Sequence, residues 1–116
     1  MKKVLVIEDA PVDAQNLKRI FSDAGWVVHL ASSGAAGVAQ AQQEKPDLIM
    51  MDVNMPGLDG FSAARQLTQH AETKGIPVVF VTSKDQKADR VFAQMLGAKG
   101  FITKPYTDEQ VLALVG

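Results

Sequence analysis

The 116-residue chain contains no cysteine. Disulfides, thiol catalysis and thiolate metal sites are therefore excluded. Its two histidines, His29 and His70, lack the paired spacing of an imidazole metal site, and neither is assigned a chemical role. No block of like charge occurs and the formal net charge is -1, so nothing marks nucleic acid as an electrostatic partner. Long apolar stretches are missing too. The residues after Met1-Lys2-Lys3 stay apolar only as far as Ile7 before Glu8-Asp9 intervenes, so no signal peptide or membrane insertion is expected and the default compartment is the cytoplasm. Phosphate-cradling motifs are absent: neither GxxxxGK[ST] nor GxGxxG follows the first apolar run, and the loop there is acidic, Glu8-Asp9-Ala10-Pro11. That disfavours a flavin mononucleotide site. A DxDxT phosphatase nucleophile is also missing, because Asp52-Val53-Asn54 carries an amide at its second polar position.

What is present is an ordinary globular composition, 47% hydrophobic and 22% charged, in a length that suits one domain over residues 1–116. No output domain is expected. Apolar, β-branched runs closed by turn formers predict strands over residues 3–8, 26–31, 48–52, 78–82 and 100–103, the second at an edge because polar His29 interrupts it. Between them, apolar residues recur at helical spacing. Leu17, Ile20, Phe21 and Ala24 predict a helix from Pro11 to Gly25, and Ala35, Val38 and Ala39 one that ends before Pro46. Phe61, Ala64, Leu67 and Ala71 predict a third, Ala88, Val91, Phe92 and Met95 a fourth that stops near Gly97, and residues 108–115 a short last helix. Trp26, at the start of the second strand, is expected to serve packing alone.

Five βα repeats imply an α/β fold, a doubly wound parallel sheet covered on both faces by right-handed crossovers. Functional groups in such sheets gather beyond the C-terminal strand ends. Those ends carry Glu8-Asp9, Asp52, Thr82-Ser83 and Lys104. Carboxylates converging on one edge repel each other unless a cation lies among them, and a hard ion such as Mg²⁺, with Mn²⁺ as an alternative, suits all-oxygen ligands. A carboxylate is also a competent nucleophile toward phosphorus, and phosphoryl transfer then needs chiefly positioning and charge neutralisation.

With these four strand-end motifs in order, the chain resembles the receiver domain of bacterial two-component response regulators, especially the stand-alone chemotaxis and twitching-motility type, over essentially its whole length. The subtype likeness rests on residues 56–61 and 83–86. The resemblance implies a flavodoxin-like (βα)5 fold with strand order 2-1-3-4-5. It implies that Asp52 is the phosphoacceptor, that Asp9 and the Asn54 carbonyl bind Mg²⁺ directly alongside Asp52, and that Glu8 acts through water. Lys104 would contact the phosphoryl oxygens, with its peptide to Pro105 cis, and Thr82 would turn its hydroxyl toward them. Phe101 occupies the position of an aromatic rotamer switch, while Asn54 and Lys84 occupy positions that tune phosphoryl lifetime. Two features depart from the commonest pattern: Glu8 stands where many members have aspartate, and the last helix is short.

The implied function is that of a signalling protein rather than an enzyme. It takes a phosphoryl group from a histidine kinase and binds an effector through the face of helix 4, strand 5 and helix 5, near which Phe101, Tyr106 and Met95 are placed, as a monomer or weak dimer. A phosphate sink and a phosphorylation-independent binding module are the alternatives.

Overall fold

The computed structural model describes residues 2–84 and 86–115, so Asp85, within the 83–86 stretch, lies outside the described residues. Five strands, β1 (Lys3–Ile7), β2 (Val27–Ala31), β3 (Leu48–Asp52), β4 (Val78–Thr82) and β5 (Gly100–Thr103), alternate with five helices, α1 (Pro11–Asp23), α2 (Gly34–Glu44), α3 (Gly60–Thr68), α4 (Lys87–Met95) and α5 (Asp108–Val115). All neighbouring strands are parallel and their order is β2-β1-β3-β4-β5. This is the expected flavodoxin-like arrangement, with β2 at an edge.

Side chains alternate across a strand, so each central strand feeds two cores. Leu5, Ile7, Ile49, Met51 and Phe80 pack with residues of α2, α3 and α4, including Val38, Ala63 and Leu67. Val4, Val6, Met50, Val79 and Val81 pack with Leu17, Ile20 and Phe21 of α1 and Val111 and Val115 of α5. Burial on both faces explains why β3 reads as an uninterrupted apolar run up to the buried Asp52. The chain leaves β1 toward β2 on one side and enters β3 on the other, which opens the crevice between the β1 and β3 ends.

Local chemistry moves several boundaries. Helix α1 ends at Asp23, and Gly25, at φ +91°, takes the left-handed position just beyond the cap. Trp26 does not join β2, because its amide bonds to the Phe21 carbonyl at the end of α1. Its ring instead packs edge-on against Phe21 at 5.3 Å, with the Lys2 ammonium also 5.3 Å away. Helix α3 stops at Thr68 rather than reaching Ala71. The buried Thr73 hydroxyl donates to the Leu67 carbonyl at 2.6 Å and satisfies a helix-end acceptor that a continuing helix would have used. Helix α4 forms where predicted, but the apolar residues that mark it in the sequence do not form its buried side. Val91, Phe92 and Met95 are exposed, and the buried residue of the helix is Ala93.

Candidate functional site

Strand ends β1 and β3 bring Glu8, Asp9 and Asp52 together, with one carboxylate oxygen of each lying within 4.8 Å of the others. Glu8 and Asp52 are buried and Asp9 is exposed. Asp52 is held by a backbone that cannot shift easily. The Val53 amide bonds to the Val81 carbonyl at 2.9 Å, and the Gly60 amide to the Val53 carbonyl at 2.9 Å. A Cβ on Gly60 would collide with the Asp52 carbonyl oxygen and the Val53 Cα, so only glycine lets α3 start against the end of β3. The loop between them turns at Pro56-Gly57, where Gly57 has φ +75°, and Asp59 caps α3 by accepting from the Ser62 amide at 2.9 Å.

Lys104 enters from β5 across a cis peptide to Pro105. Its Nζ donates to Glu8 Oε1 at 2.7 Å and to Asp13 Oδ2 at 2.9 Å, and lies 3.8 Å from Asp52 Oδ1. Burial alone would pull the ammonium pKa down, but the bonds to Glu8 and Asp13 and the charge of Asp52 outweigh it, and the group stays charged well above the ordinary lysine range. Three carboxylates, those of Glu8, Asp13 and Asp52, thus lie within 4 Å of one ammonium, and Asp9 adds a fourth to the cluster through Glu8 and Asp52. The imbalance falls on Asp52. Its pKa is pushed up to about 7, first by burial and then by its hydrogen bond to Glu8 and the charge there, with Lys104 opposing.

Thr82, fully buried at the end of β4, accepts at Oγ1 from Asn54 Nδ2 at 3.2 Å and from the Lys84 amide at 3.1 Å. Asn54 and Lys84 are exposed, and both touch the same hydroxyl. Phe101 is half-buried beside the core of α2, α3 and α4, with the Arg90 guanidinium 5.0 Å over its ring. Of the eight sequence-predicted residues, Glu8, Asp9, Asp52 and Lys104 form one group of contacts and Asn54, Thr82 and Lys84 a second at the end of the neighbouring strand, while Phe101 lies outside both. Tyr106 packs with the α1 and α5 core and lines a recess with Asp13, Asn16, Lys104 and Pro105.

Asp13 is the residue that sequence reasoning missed. Its place in the first turn of α1, just after the acidic loop, reads as ordinary compensation of the helix dipole. Its pairing with Lys104 spans 91 positions and has no local signature.

The acidic triad can coordinate a divalent metal: the donors are all oxygen, two are buried, and the neighbouring ammonium cannot neutralise them. That set fits Mg²⁺. A parallel 2-1-3-4-5 sheet with such a triad and a facing lysine defines a phosphoacceptor switch domain. Residues 4–116 match the response regulator receiver domain family, and the chain belongs to that family. It is 44% identical over 115 residues to protein PilH of Pseudomonas aeruginosa, covering 99% of this chain and 95% of PilH. Among solved structures it is similar to the Vibrio cholerae chemotaxis protein CheY4, at 30% identity and a TM-score of 0.93, covering 99% of this chain and 96% of that one. It is also similar to the receiver domain of the sensor histidine kinase PA1611 of P. aeruginosa PAO1, solved with a magnesium ion coordinated in the active site cleft, at 25% identity and a TM-score of 0.90, covering 98% and 93%. Of several longer relatives the chain spans only 25–48% of the length. Like other receiver domains, this one is a phosphoacceptor signalling module suited to Mg²⁺-dependent phosphorylation in a two-component pathway, served by a histidine kinase and acting on a downstream partner.

Proposed function

We propose that Asp52 accepts the phosphoryl group and that the remaining strand-end residues divide the work of holding it. An oxygen of Asp52 attacks the phosphorus of a kinase phosphohistidine. A P–O bond forms as the P–N bond breaks, and the electron pair stays with the imidazole, which takes up a proton from solvent. Asp9, Asp52 and the Asn54 carbonyl would hold Mg²⁺, with Glu8 acting through water. When bound, the ion supplies charge neutralisation to the phosphoryl oxygens. Lys104 meets one of those oxygens and the Thr82 hydroxyl, once released from Asn54, another. Asn54 and Lys84, both bonded to that hydroxyl, set how readily it moves and so how long the phosphoryl group lasts.

The observation that carries this reading is the position of the Asp52 carboxylate, buried at the end of the central strand between the acidic cluster and the Lys104 ammonium. The output is proposed to be an effector bound at the face of α4, β5 and α5. Supporting this, Met95 is 79% exposed and Val91 48%, and a groove of about 520 Å³ runs past Phe101, Ile102 and Leu114. Phe101, in that groove and one strand from Thr82, is the residue proposed to relay the change. The likeness to PilH and CheY4 supports a chemotaxis- or twitching-type pathway, and the family supports a cytoplasmic place for it. Incubation with Mg²⁺ and acetyl phosphate is expected to add one phosphoryl group by intact mass, and Asp52→Ala to abolish the adduct. An unmodified wild type, or an equal adduct on the variant, contradicts the proposal.

A further inference from the structure

We infer that Asp13 is a positioning residue for phosphoryl transfer: together with Glu8 it fixes the Lys104 ammonium so that one N–H remains for a phosphoryl oxygen on Asp52. The inference rests on the proposed role of Lys104. An ammonium has three N–H donors on a flexible four-carbon stem. In this protein two have short partners, Glu8 Oε1 at 2.7 Å and Asp13 Oδ2 at 2.9 Å. Asp52 Oδ1, at 3.8 Å, is inside ion-pair range but beyond a hydrogen bond. The third donor is therefore not satisfied by the bare Asp52 carboxylate. A phosphoryl group bonded to Asp52 carries its oxygens outward into that gap.

The two anchors come from independent elements. Glu8 follows β1 and is itself fixed by the Ala10 amide, which donates to Oε2 at 3.2 Å. Asp13 stands at the third position of α1, whose start is set by Pro11. Two anchors hold a point in place where one would let it swing, and donors fixed before the reaction need no reorganisation during it. Glu8 alone would leave Nζ free to pivot about a single bond. Asp13 is also more exposed than its partners, with a side chain 39% accessible against 19% for Lys104 and 1% for Glu8. It closes the solvent side of the ammonium and forms, with Asn16 and Tyr106, the wall of the adjoining recess.

A plain helix-dipole role for Asp13 predicts a loss of stability and nothing specific to Lys104. The test therefore pairs Asp13→Ala and Asp13→Asn with Lys104→Ala. Phosphorylation by acetyl phosphate is measured as the rate at saturating Mg²⁺ and, separately, as the Mg²⁺ concentration for half-maximal rate. Asp13→Ala is expected to lower the saturating rate about tenfold with little change in the Mg²⁺ requirement, and Asp13→Asn, which keeps an acceptor oxygen, to fall less. On a Lys104→Ala background, Asp13→Ala is expected to add less than about twofold. In metal-free protein, the Lys104 ammonium signal, protected from solvent exchange in wild type, is expected to vanish in Asp13→Ala. Full additivity with Lys104→Ala, an unchanged saturating rate, or an ammonium signal unaltered by Asp13→Ala overturns the inference. If Lys104→Ala itself leaves the rate unchanged, the proposed role of Lys104 fails, and the inference with it. If Lys104→Ala slows the reaction and Asp13→Ala does not, only the inference fails.

Discussion

At the scale of single residues, the chemistry turns on Asp52, a carboxylate whose pKa is held at about 7 by burial and by Glu8 beside it. The sign of its effect on folding follows. In the unfolded chain the group titrates near its ordinary 3.8, so between that value and about 7 the folded protein binds more protons than the unfolded one. The contribution of Asp52 to stability therefore falls as pH rises across that window. Asp52→Asn removes this slope. In chelator, the variant is expected to be more stable than wild type by about 1–3 kcal/mol at about pH 8, and the gain to shrink at about pH 4, measured by urea unfolding. Equal stability at both pH values would show that Asp52 is not strained by its neighbours. Asp52, Glu8, Asp9 and Lys104 were legible in the sequence because each sits at the end of an apolar run, where the run gives way to loop. Asp13 was not, because nothing near it in the chain announces that Lys104 arrives there.

At the scale of elements, β1, β3 and β4 read most plainly because burial on both faces leaves no polar residue in the strand interior, whereas edge strand β2 carries His29. Helix α4 shows the opposite case. Spacing of Ala88, Val91, Phe92 and Met95 locates the helix, yet the same spacing suggests a buried face where the structure has an exposed one. Periodicity reports which residues share a face and not what that face meets. Phe92 is instead part of a lateral cluster, stacked on Phe61 at 5.0 Å and under the Arg65 guanidinium at 5.8 Å, which ties α4 to α3. The start of α3 depends on a close approach that side-chain patterns cannot reveal. Gly60 sits where any Cβ would strike the Asp52 carbonyl. Gly60→Ala must push the β3–α3 loop away from the strand end, and is expected to destabilise the protein by about 1–3 kcal/mol while weakening phosphorylation of Asp52. Thermal unfolding and acetyl phosphate kinetics check both effects, and a variant unchanged in both would show that the junction yields more easily than its contacts imply.

At the scale of the whole molecule, the order of the strands is what converts four weak motifs into one site. Glu8-Asp9 and Asp52 are separated by more than forty residues, and Lys104 by about fifty more, yet β1 and β3 are neighbours and β5 lies two strands beyond. The alternation of elements predicts a parallel sheet, while the 2-1-3-4-5 order came from family likeness and not from the periodicity itself. Around the rim, Asn54, Thr82 and Lys84 meet at one hydroxyl, so residues assigned to metal binding, switching and turnover are bonded to each other in this structure. Phe101 lies on the neighbouring strand, and beyond it are the groove and the exposed residues of α4. The central claim is that this constellation directs phosphorylation to one carboxylate out of the cluster. Reduction of the phosphorylated protein with borohydride, followed by peptide sequencing, records which one, because an acyl phosphate is converted to an alcohol where it stood. Homoserine at position 52 alone is the predicted result. Homoserine at position 9 or 13, 5-hydroxynorvaline at position 8, or the absence of homoserine from position 52 in a protein that carries the adduct, would contradict it.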